Sequence, residues 1–353
     1  MISFLNLKPT AFGLDISDSS LKIIQLKKSG RSLKLASFGE TRMKPGIIEQ
    51  GDIKNEKALS EDIKKAVKDA RGEKIRTKHV VISLPEEKAF LQVIQLPLMK
   101  EEEVQKAVYF EAENYIPLPI EKVYLDSQIV SCDTKVNKLN VLIAAMPKTV
   151  IDLYVSVLRG AALEPAVLEI ESMAISRALV KDNTDCQVMV LVDLGENRTS
   201  FSIFFDQSLK FTTTSQISAK NFSEIIAQGL KISFKEAEVL KIKYGINSSA
   251  SGKKNTEALK PILIELSDLS EKYINYCLAQ YSQKVVKVLL CGGGANLKGL
   301  ADFLNKRLKT PVELGNPWLN ITADQSKRAG LLSREESLRY TTALGLALGG
   351  VRL

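Results

Sequence analysis

The feature that most constrains this chain is a hairpin signature written twice. In the second copy, Val190-Leu191-Val192-Asp193 is an apolar run ending in an aspartate. Leu194-Gly195-Glu196-Asn197-Arg198 makes a glycine-containing turn, and Thr199 to Phe205 alternates on the way back. Near the start, Ala11-Phe12-Gly13-Leu14-Asp15-Ile16 leads through Ser17-Asp18-Ser19-Ser20 into a returning run from Leu21 to Lys28. Apolar runs read as buried strands and alternating runs as half-buried ones, so each copy is a strand, a turn and a strand. Such a turn offers several backbone N–H groups to one anion. A carboxylate at its mouth suits Mg²⁺, which keeps most of its water and prefers carboxylate and phosphate oxygens. Either hairpin alone reads equally as an ordinary turn in which Asp and Gly serve only the backbone. Two related hairpins, separated by about half of the 353 residues, change the weight of that reading.

The elements after each hairpin come in the same order. In the first half a strand from Leu33 to Phe38 precedes an amphipathic helix, Glu56 to Ala70, and a compact strand, Val80 to Leu84, stopped by Pro85. In the second half a strand from Leu209 to Thr214 precedes helices at Phe222 to Leu230 and Phe234 to Tyr244. A polar loop, Asn247 to Asn255, a long helix ending near Tyr281 and a strand from Val285 to Leu290 come next. Three strands, helix, strand, given twice, predicts two α/β lobes facing one another across a cleft. An insertion from Glu86 to about Gly160 interrupts the first lobe. It holds a strand at Ala89 to Leu96, a helix from Glu101 to Tyr115 ended by Ile116-Pro117-Leu118-Pro119, two further strands and a helix from Thr149 to Arg159. A strand, Leu163 to Ile170, and a helix, Ser172 to Val180, then return to that lobe. Late in the chain, Leu289-Leu290-Cys291 runs into Gly292-Gly293-Gly294 and a helix from about Leu297. Three glycines let backbone approach a flat ligand where a Cβ would collide, although a plain strand-to-helix connection fits equally. Gly345 and Gly349, four apart on an apolar helix, fit a close crossing with another element.

Several function classes drop out. The formal charge is +8, with Lys and Arg spread among Asp and Glu. It reads as solubility, with no Arg-rich tail or RNA-binding signature and hence no nucleic-acid partner; weak attraction to an anionic membrane surface stays open. Cys132, Cys186, Cys277 and Cys291 are too scattered for a CxxC metal site and read as buried thiols of a reducing compartment. The single histidine, His79, opens an apolar run, which leaves a Ser-His-Asp triad little to stand on. No run of about 20 apolar residues spans a bilayer. Met1 to Leu7 is a short lead-in, at most a shallow membrane contact.

Taken together, the two aspartate hairpins, the strand–GGG–helix and the glycine-marked last helix resemble the actin, Hsp70 and sugar-kinase superfamily. Within it the chain is most similar to the PilM family of pilus-assembly proteins, with FtsA as the near alternative. The resemblance runs nearly end to end. It is carried by Phe12-Gly13-Leu14-Asp15-Ile16, by Glu111-Ala112-Glu113-Asn114-Tyr115-Ile116-Pro117-Leu118-Pro119-Ile120, and by Leu158-Arg159-Gly160-Ala161-Ala162-Leu163-Glu164-Pro165. Gly292-Gly293-Gly294-Ala295-Asn296-Leu297-Lys298-Gly299-Leu300 and Asn316-Pro317-Trp318 add to it. FtsA normally continues past the glycine helix into a membrane-binding helix, whereas Gly350-Val351-Arg352-Leu353 comes after it here, which favours the pilus family or a related secretion scaffold.

The resemblance implies an α/β, actin-like (ribonuclease H-like) two-lobed fold. Subdomain 1A would be residues 1–85 and 161–185 with the 335–353 helix returning to it, 1C residues 86–160, 2A residues 186–220 and 256–334, and 2B residues 221–255. It implies a cytoplasmic scaffold at the inner membrane's inner face that binds ATP and Mg²⁺ and the cytoplasmic N-terminal peptide of a PilN-like inner-membrane protein. Other pilus components and weak self-association belong to the same expectation, with membrane association indirect. Nucleotide would be held by Asp15, Ser17, Ser19 and Ser20 in the first turn, and by Asp193, Gly195 and Thr199 in the second. Gly292, Gly293 and Gly294 would form the adenosine loop, and Glu238 and Lys241 a charged helix face. Asp15 and Asp193 would hold the metal through water. Glu171 is the nearest candidate for positioning a hydrolytic water, with turnover weak or absent, and Tyr109, Glu113 and Tyr115 mark the region of the partner groove. One departure stands out: relatives have Asp-x-Gly in the first turn, and this chain has Asp15-Ile16-Ser17-Asp18, which removes a glycine and adds a carboxylate. The competing readings are an FtsA-like filament or membrane tether and a small-molecule kinase.

Overall fold

The computed structural model describes residues 10–30, 32–133, 137–181, 187–246, 249–321 and 332–352. Met1 to Leu7, Cys186, Asn247 and Ser248 lie outside the described residues, and with them what the sequence suggested there. The chain divides into two compact units, Met1–Asp182 with Pro317–Leu331 and Tyr340–Leu353, and Asn183–Asn316 with Leu332–Arg339.

In the first unit β1 (Phe12–Ile16), β2 (Ser20–Ser29) and β3 (Ser32–Arg42) form an antiparallel meander. A short ribbon of β4 (Ile48–Glu49) and β5 (Asp52–Ile53) leads into helix α1 (Glu56–Asp69), then β6 (Arg71–Gly72) and β7 (His79–Leu84). All five residues of β1 are buried, Asp15 among its apolar neighbours included. The insertion contributes β8 (Phe90–Pro97), α2 (Glu101–Ala112), β9 (Val123–Asp133), β10 (Lys138–Pro147) and α3 (Lys148–Gly160). β11 (Glu164–Ile170) and α4 (Glu171–Leu179) come after it. The main sheet has the order β11-β7-β1-β2-β3-β6, with β1, β7 and β11 parallel.

The second unit holds β12 (Val188–Leu194), β13 (Thr199–Phe205), β14 (Ser208–Ser215), α5 (Ala219–Leu230), α6 (Phe234–Tyr244) and α7 (Ala250–Tyr281). β15 (Val285–Cys291), α8 (Leu300–Arg307), β16 (Val312–Leu314) and α9 (Arg334–Leu338) complete it. Its sheet runs β14-β13-β12-β15-β16, with β12, β15 and β16 parallel. With the β4–β5 ribbon and the added edge strand β6 set aside, both sheets share one order, third, second, first, fourth, fifth. The repetition expected from the sequence is a repetition of topology.

The glycine helix is α10 (Thr341–Arg352), and it crosses β1 and α4 at close range. A Cβ on Gly345 would lie 1.8 Å from the Ala174 carbonyl oxygen, and one on Gly13 would lie 2.5 Å from that of Ala343. The insertion builds its own sheet, β8-β10-β9. Val104, Val108 and Ala112 of α2 join Ile94, Leu96, Val141 and Ile143 in one core.

Three local expectations need correction. Helix α2 ends at Ala112 and not at Tyr115: Glu113 to Tyr115 form a tight turn that swings Ile116 into the core, and Pro117 disfavours a helical residue before it. The polar stretch is helical from Ala250 onward, because the Ser249 hydroxyl accepts the Gly252 N–H as an N-cap and Asn255 is fully buried. After the glycines comes a single 3₁₀ turn, Gly293–Asn296, and the α-helix begins only at Leu300.

Candidate functional site

The first turn is knitted by its own hydroxyls. Ser17 Oγ donates to the Ser20 carbonyl at 2.9 Å and accepts the Ser20 N–H at 3.2 Å, while the Ser17 N–H reaches the same carbonyl at 3.0 Å. The Ser19 carbonyl accepts the Met43 N–H at 2.9 Å. Ser17, Asp18 and Ser19 all keep negative φ, so the turn closes without the glycine that relatives use. The Asp18 carboxylate is committed elsewhere, accepting the N–H groups of Gln50 at 3.1 Å and Gly51 at 3.0 Å. Its charge caps the β4–β5 turn.

Asp15 is buried at the end of β1. Its Oδ1 accepts the Ser83 hydroxyl at 3.0 Å, and Ser83 in turn accepts the Ile16 N–H at 3.1 Å. Its Oδ2 lies 3.4 Å from Lys22 Nζ, the residue opposite it in the hairpin register. Ser83 and Lys22 escape a reading of the sequence, because neither sits in a motif.

In the second unit Asp193 closes β12 in the corresponding place. Its Oδ1 accepts the Cys291 thiol at 3.6 Å, from the residue beside it on β15. The Gly195 carbonyl accepts the Ala219 N–H and that of Glu196 the Lys220 N–H, both at 3.0 Å, so this turn seats the start of α5. Thr199 is fully buried and donates its hydroxyl to the Ile217 carbonyl at 2.7 Å, fixing the segment that enters α5. Lys241 Nζ binds the Ala219 carbonyl at 2.7 Å and Glu238 Oε1 at 2.6 Å, and the Ser223 hydroxyl donates to that same oxygen. Gly195, Ala219, Lys241 and Glu238 thus form one connected chain from the second turn to the charged helix pair.

The three glycines differ. Gly292, at φ +80°, brings its backbone so close that an added Cβ would lie 2.3 Å from Asp193 Oδ1. Gly294 is packed on Leu194, with 1.6 Å left to its Cδ2. Gly293 is exposed, and an added Cβ there meets nothing nearer than Arg339 Cβ at 4.0 Å. Open backbone of this kind is what a flat ligand would lie on.

Glu171 is buried at the first position of α4. Beside it Glu86, also buried and carrying no signal in the sequence, accepts the Ser172 N–H and hydroxyl, both at 2.9 Å. On the insertion Tyr109, Glu113 and Tyr115 are all exposed. So is Phe110, which packs edge-on against Tyr109 at 6.0 Å and is not marked by any motif. A separate groove of about 540 Å³ is lined by Tyr124 and by Ile151, Asp152, Val155, Ser156 and Arg159 of α3. The Tyr124 hydroxyl donates to Asp152 at 2.9 Å, and that carboxylate raises the phenol's pKa.

Among the described residues no group of three or more His, Cys, Asp or Glu side chains could cage a metal. No helix among the described residues is long and apolar enough to cross a membrane.

Two units of this strand order, each with an aspartate closing its first strand, define the actin-like fold. EutJ from Carboxydothermus hydrogenoformans, an ethanolamine utilization protein, matches at TM-score 0.58 and 14% identity over 96% of this chain and 89% of that one. MreB5 of Spiroplasma citri, solved bound to AMPPNP, matches at 0.56 and 11% over 96% and 95%. At such identities the likeness is one of fold. The model of the type IV pilus assembly protein PilM family matches residues 13–351, and the chain belongs to that family. A solved PilM–PilN type IV pilus biogenesis complex is similar over 98% of this chain and 99% of that one, at TM-score 0.82 and 29% identity. Cell division protein FtsA of Enterococcus faecalis is 25% identical over 190 residues, 48% of this chain and 43% of FtsA. The match to FtsA of Enterococcus hirae likewise spans less than half of that protein, 44%.

Proposed function

We propose that this chain is a nucleotide-responsive scaffold of a type IV pilus machine, binding ATP–Mg²⁺ and the cytoplasmic N-terminal peptide of a PilN-like inner-membrane protein. The carrying observation is the end-to-end likeness to the PilM–PilN complex. The N–H-rich turns after Asp15 and Asp193 are suited to phosphates, with Ser17, Ser19 and Ser20 shaping the first and Gly195 and Thr199 the second. Asp15 and Asp193 would carry the metal through its waters. Gly293 offers the backbone face for the base, with Gly292 and Gly294 holding that backbone in place and the Glu238–Lys241 pair alongside. When bound, Mg²⁺ supplies charge neutralisation for the phosphates. ATP acts here as a ligand with slow or absent turnover, and Glu171 is kept as the residue to test for any residual hydrolysis.

The insertion, residues 86–160, is taken as subdomain 1C, the remainder of the first unit as 1A, and residues 221–255 as 2B within the second. The peptide would lie in the groove at Tyr124, Asp152 and Arg159, with Tyr109 of α2 and Glu113 and Tyr115 of the turn after it as a second candidate region on the same insertion. An extended peptide suits such a site, since main-chain bonds give affinity and side-chain pockets give specificity. Its location would be the cytoplasmic face of the inner membrane, with other pilus components as further partners and self-association weak. Coupling requires that nucleotide bind two states of the protein unequally, and then peptide and nucleotide must strengthen one another by the same factor. The test is titration of the full chain against a labelled synthetic peptide copied from the short cytoplasmic start of a PilN-like protein of the same organism, with and without ATP–Mg²⁺. Saturable binding weakened by Asp152→Lys is expected. No binding in either condition would overturn the reading.

A further inference from the structure

The first unit's sheet has two chemically unlike ends. β1, β7 and β11 run parallel, so the Ser17–Ser20 turn marks one end, and their starts at Phe12, His79 and Glu164 mark the other. The β2–β3 hairpin closes at this second end, and α1 and β6 deliver the chain to it, with Arg71 and Gly72 paired to Phe38 and Ser37. The sequence reading of a diffuse charge fails here. The hairpin brings exposed Lys27, Lys28 and Lys34. Arg71, Lys74, Arg76 and Lys78, exposed as well, come next on the way to β7. Among the described residues of these two segments only Glu73 stands against the seven cations, an excess of six against the formal +8 of the whole chain. Glu164, beside His79 at 3.6 Å, is an acid at the far margin.

The hairpin register makes the concentration costly. Lys27 is the direct cross-strand partner of Lys34, and like charges so placed repel. The Glu73 carboxylate accepts the Lys27 ammonium and also feels Lys34, so one acid offsets two lysines while Lys74 adds to the surplus.

We propose that this basic end is a docking surface for an anionic lipid bilayer. Five of its seven cations are lysines, point charges on flexible stems that suit a laterally averaged headgroup layer better than bidentate recognition of one phosphate. Among the described residues no exposed large hydrophobic side chain lies within 27–34 or 64–78. A protein partner would therefore lack the buried anchor that hot spots need, and a single-stranded nucleic acid would lack stacking platforms. The surface lies at the opposite end of the sheet from the Asp15 turn, so it is distinct from the proposed phosphate site. This inference goes beyond the proposed function and does not need the peptide partner. It adds a direct electrostatic contact to recruitment by a membrane protein.

The test is flotation of the full chain with protein-free vesicles of phosphatidylethanolamine, with and without phosphatidylglycerol. Binding is expected only with the anionic lipid and should fall steeply as salt shortens the screening length. A triple variant, Lys28→Glu with Lys74→Glu and Lys78→Glu, should lose at least about tenfold in partitioning, since each lysine at such a surface is worth about fivefold. A charge-matched control, Lys235→Glu with Lys253→Glu and Lys254→Glu in the second unit, should change it by less than about threefold. Glu73→Gln removes the compensating acid and should strengthen binding. All these side chains are exposed, and thermal unfolding of each variant confirms that the fold survives. Equal partitioning onto neutral vesicles, equal loss in the control, or displacement from vesicles by duplex DNA would overturn the proposal. The triple variant should still bind the PilN-like peptide, so failure here and failure of the proposed function read out separately.

Discussion

Gly292, Gly293 and Gly294 are indistinguishable in sequence, yet the structure gives each →Ala substitution a different outcome. Gly294→Ala drives a methyl to 1.6 Å from Leu194 Cδ2, and Leu194 is itself buried. Overpacking of that kind costs about 1–3 kcal/mol. Gly292→Ala meets two penalties. A positive φ of +80° costs an L-residue about 1–2 kcal/mol, and the new Cβ would lie 2.3 Å from the Asp193 carboxylate and 2.6 Å from the Leu194 carbonyl oxygen, so about 2–5 kcal/mol in all. Gly293→Ala meets neither: its φ is ordinary and the space is open to 4.0 Å. It should be neutral or stabilise by about 0.4–1 kcal/mol through a less disordered unfolded chain. Urea unfolding followed by far-ultraviolet circular dichroism gives the ranking. The single tryptophan, Trp318, is buried in the first unit and reports that unit instead, a useful separation because two units need not unfold together. A fluorescent ATP analogue then supplies the second axis. If Gly293 is the backbone face for the base, its methyl variant keeps full stability and loses affinity. A destabilised Gly293→Ala or a wild-type-like Gly294→Ala would refute the steric argument. A stable Gly293→Ala with unchanged affinity would refute the ligand argument alone.

Other outcomes rest on single contacts. Ser83→Ala strands the Ile16 N–H and removes a donor from Asp15 in a buried setting, so about 1–3 kcal/mol of destabilisation is expected by denaturant titration. Gly345→Ala pushes a methyl into the Ala174 carbonyl at 1.8 Å and should cost about 3 kcal/mol. Gly349→Ala meets Arg177 Nη1 at 2.9 Å, on a guanidinium held by both Glu169 oxygens and the Gly345 carbonyl, so thermal melts should show a smaller loss, about 0–2 kcal/mol once alanine's helix propensity is set against the shift. Burial pushes the Cys277 thiol from 9.0 up to about 12, so thiol reagents at pH 8 should label it only after unfolding. The folded state holds that proton more tightly than the unfolded chain does. Its stabilising contribution is therefore complete below pH 9 and falls away as pH rises toward 12, and Cys277→Ser should flatten alkaline unfolding curves.

Legibility in the sequence depended on where the information resides. The strands were readable because β1 and β12 are apolar apart from Asp15 and Asp193 near their ends, and a local period is written in adjacent residues. Helix ends were less so: the stop after Ala112 depends on Ile116 having a core to enter, and the Ser249 cap looks like one more polar residue in a polar run. The turn's tolerance of Ser17 could not be foreseen, because three hydroxyl-assisted bonds replace the glycine. In sequence Asp18 is a charge near the phosphate site, and only tertiary structure shows Gln50 and Gly51 taking it up. The basic end stayed hidden for the same reason, since the β2–β3 hairpin and the stretch from β6 to β7 are brought together by sheet order and not by sequence.

The supports of the two aspartates carry the duplication one level deeper than strand order. Ser83 comes directly after Ile82, the β7 partner of Leu14, and so stands beside Asp15; Cys291 is the β15 partner of Asp193. Each donates to Oδ1 of its aspartate, at 3.0 Å from oxygen and 3.6 Å from sulfur, so an equivalent position on the fourth strand does the same work in both units. The difference in atom matters, because a hydroxyl is a full donor and a thiol a weak one. Asp15 also has the Lys22 ammonium near its second oxygen, and that cation competes with any metal for the same carboxylate. Lys22→Met keeps the stem over the sheet and removes the competitor. If Asp15 bears the metal's water shell, the variant should bind a fluorescent ATP analogue at lower Mg²⁺ concentration than the wild type does. An unchanged Mg²⁺ requirement would refute that role, leaving Asp15, through Ser83 and the Ile16 N–H, to fix the first turn, with the metal's water shell left to Asp193.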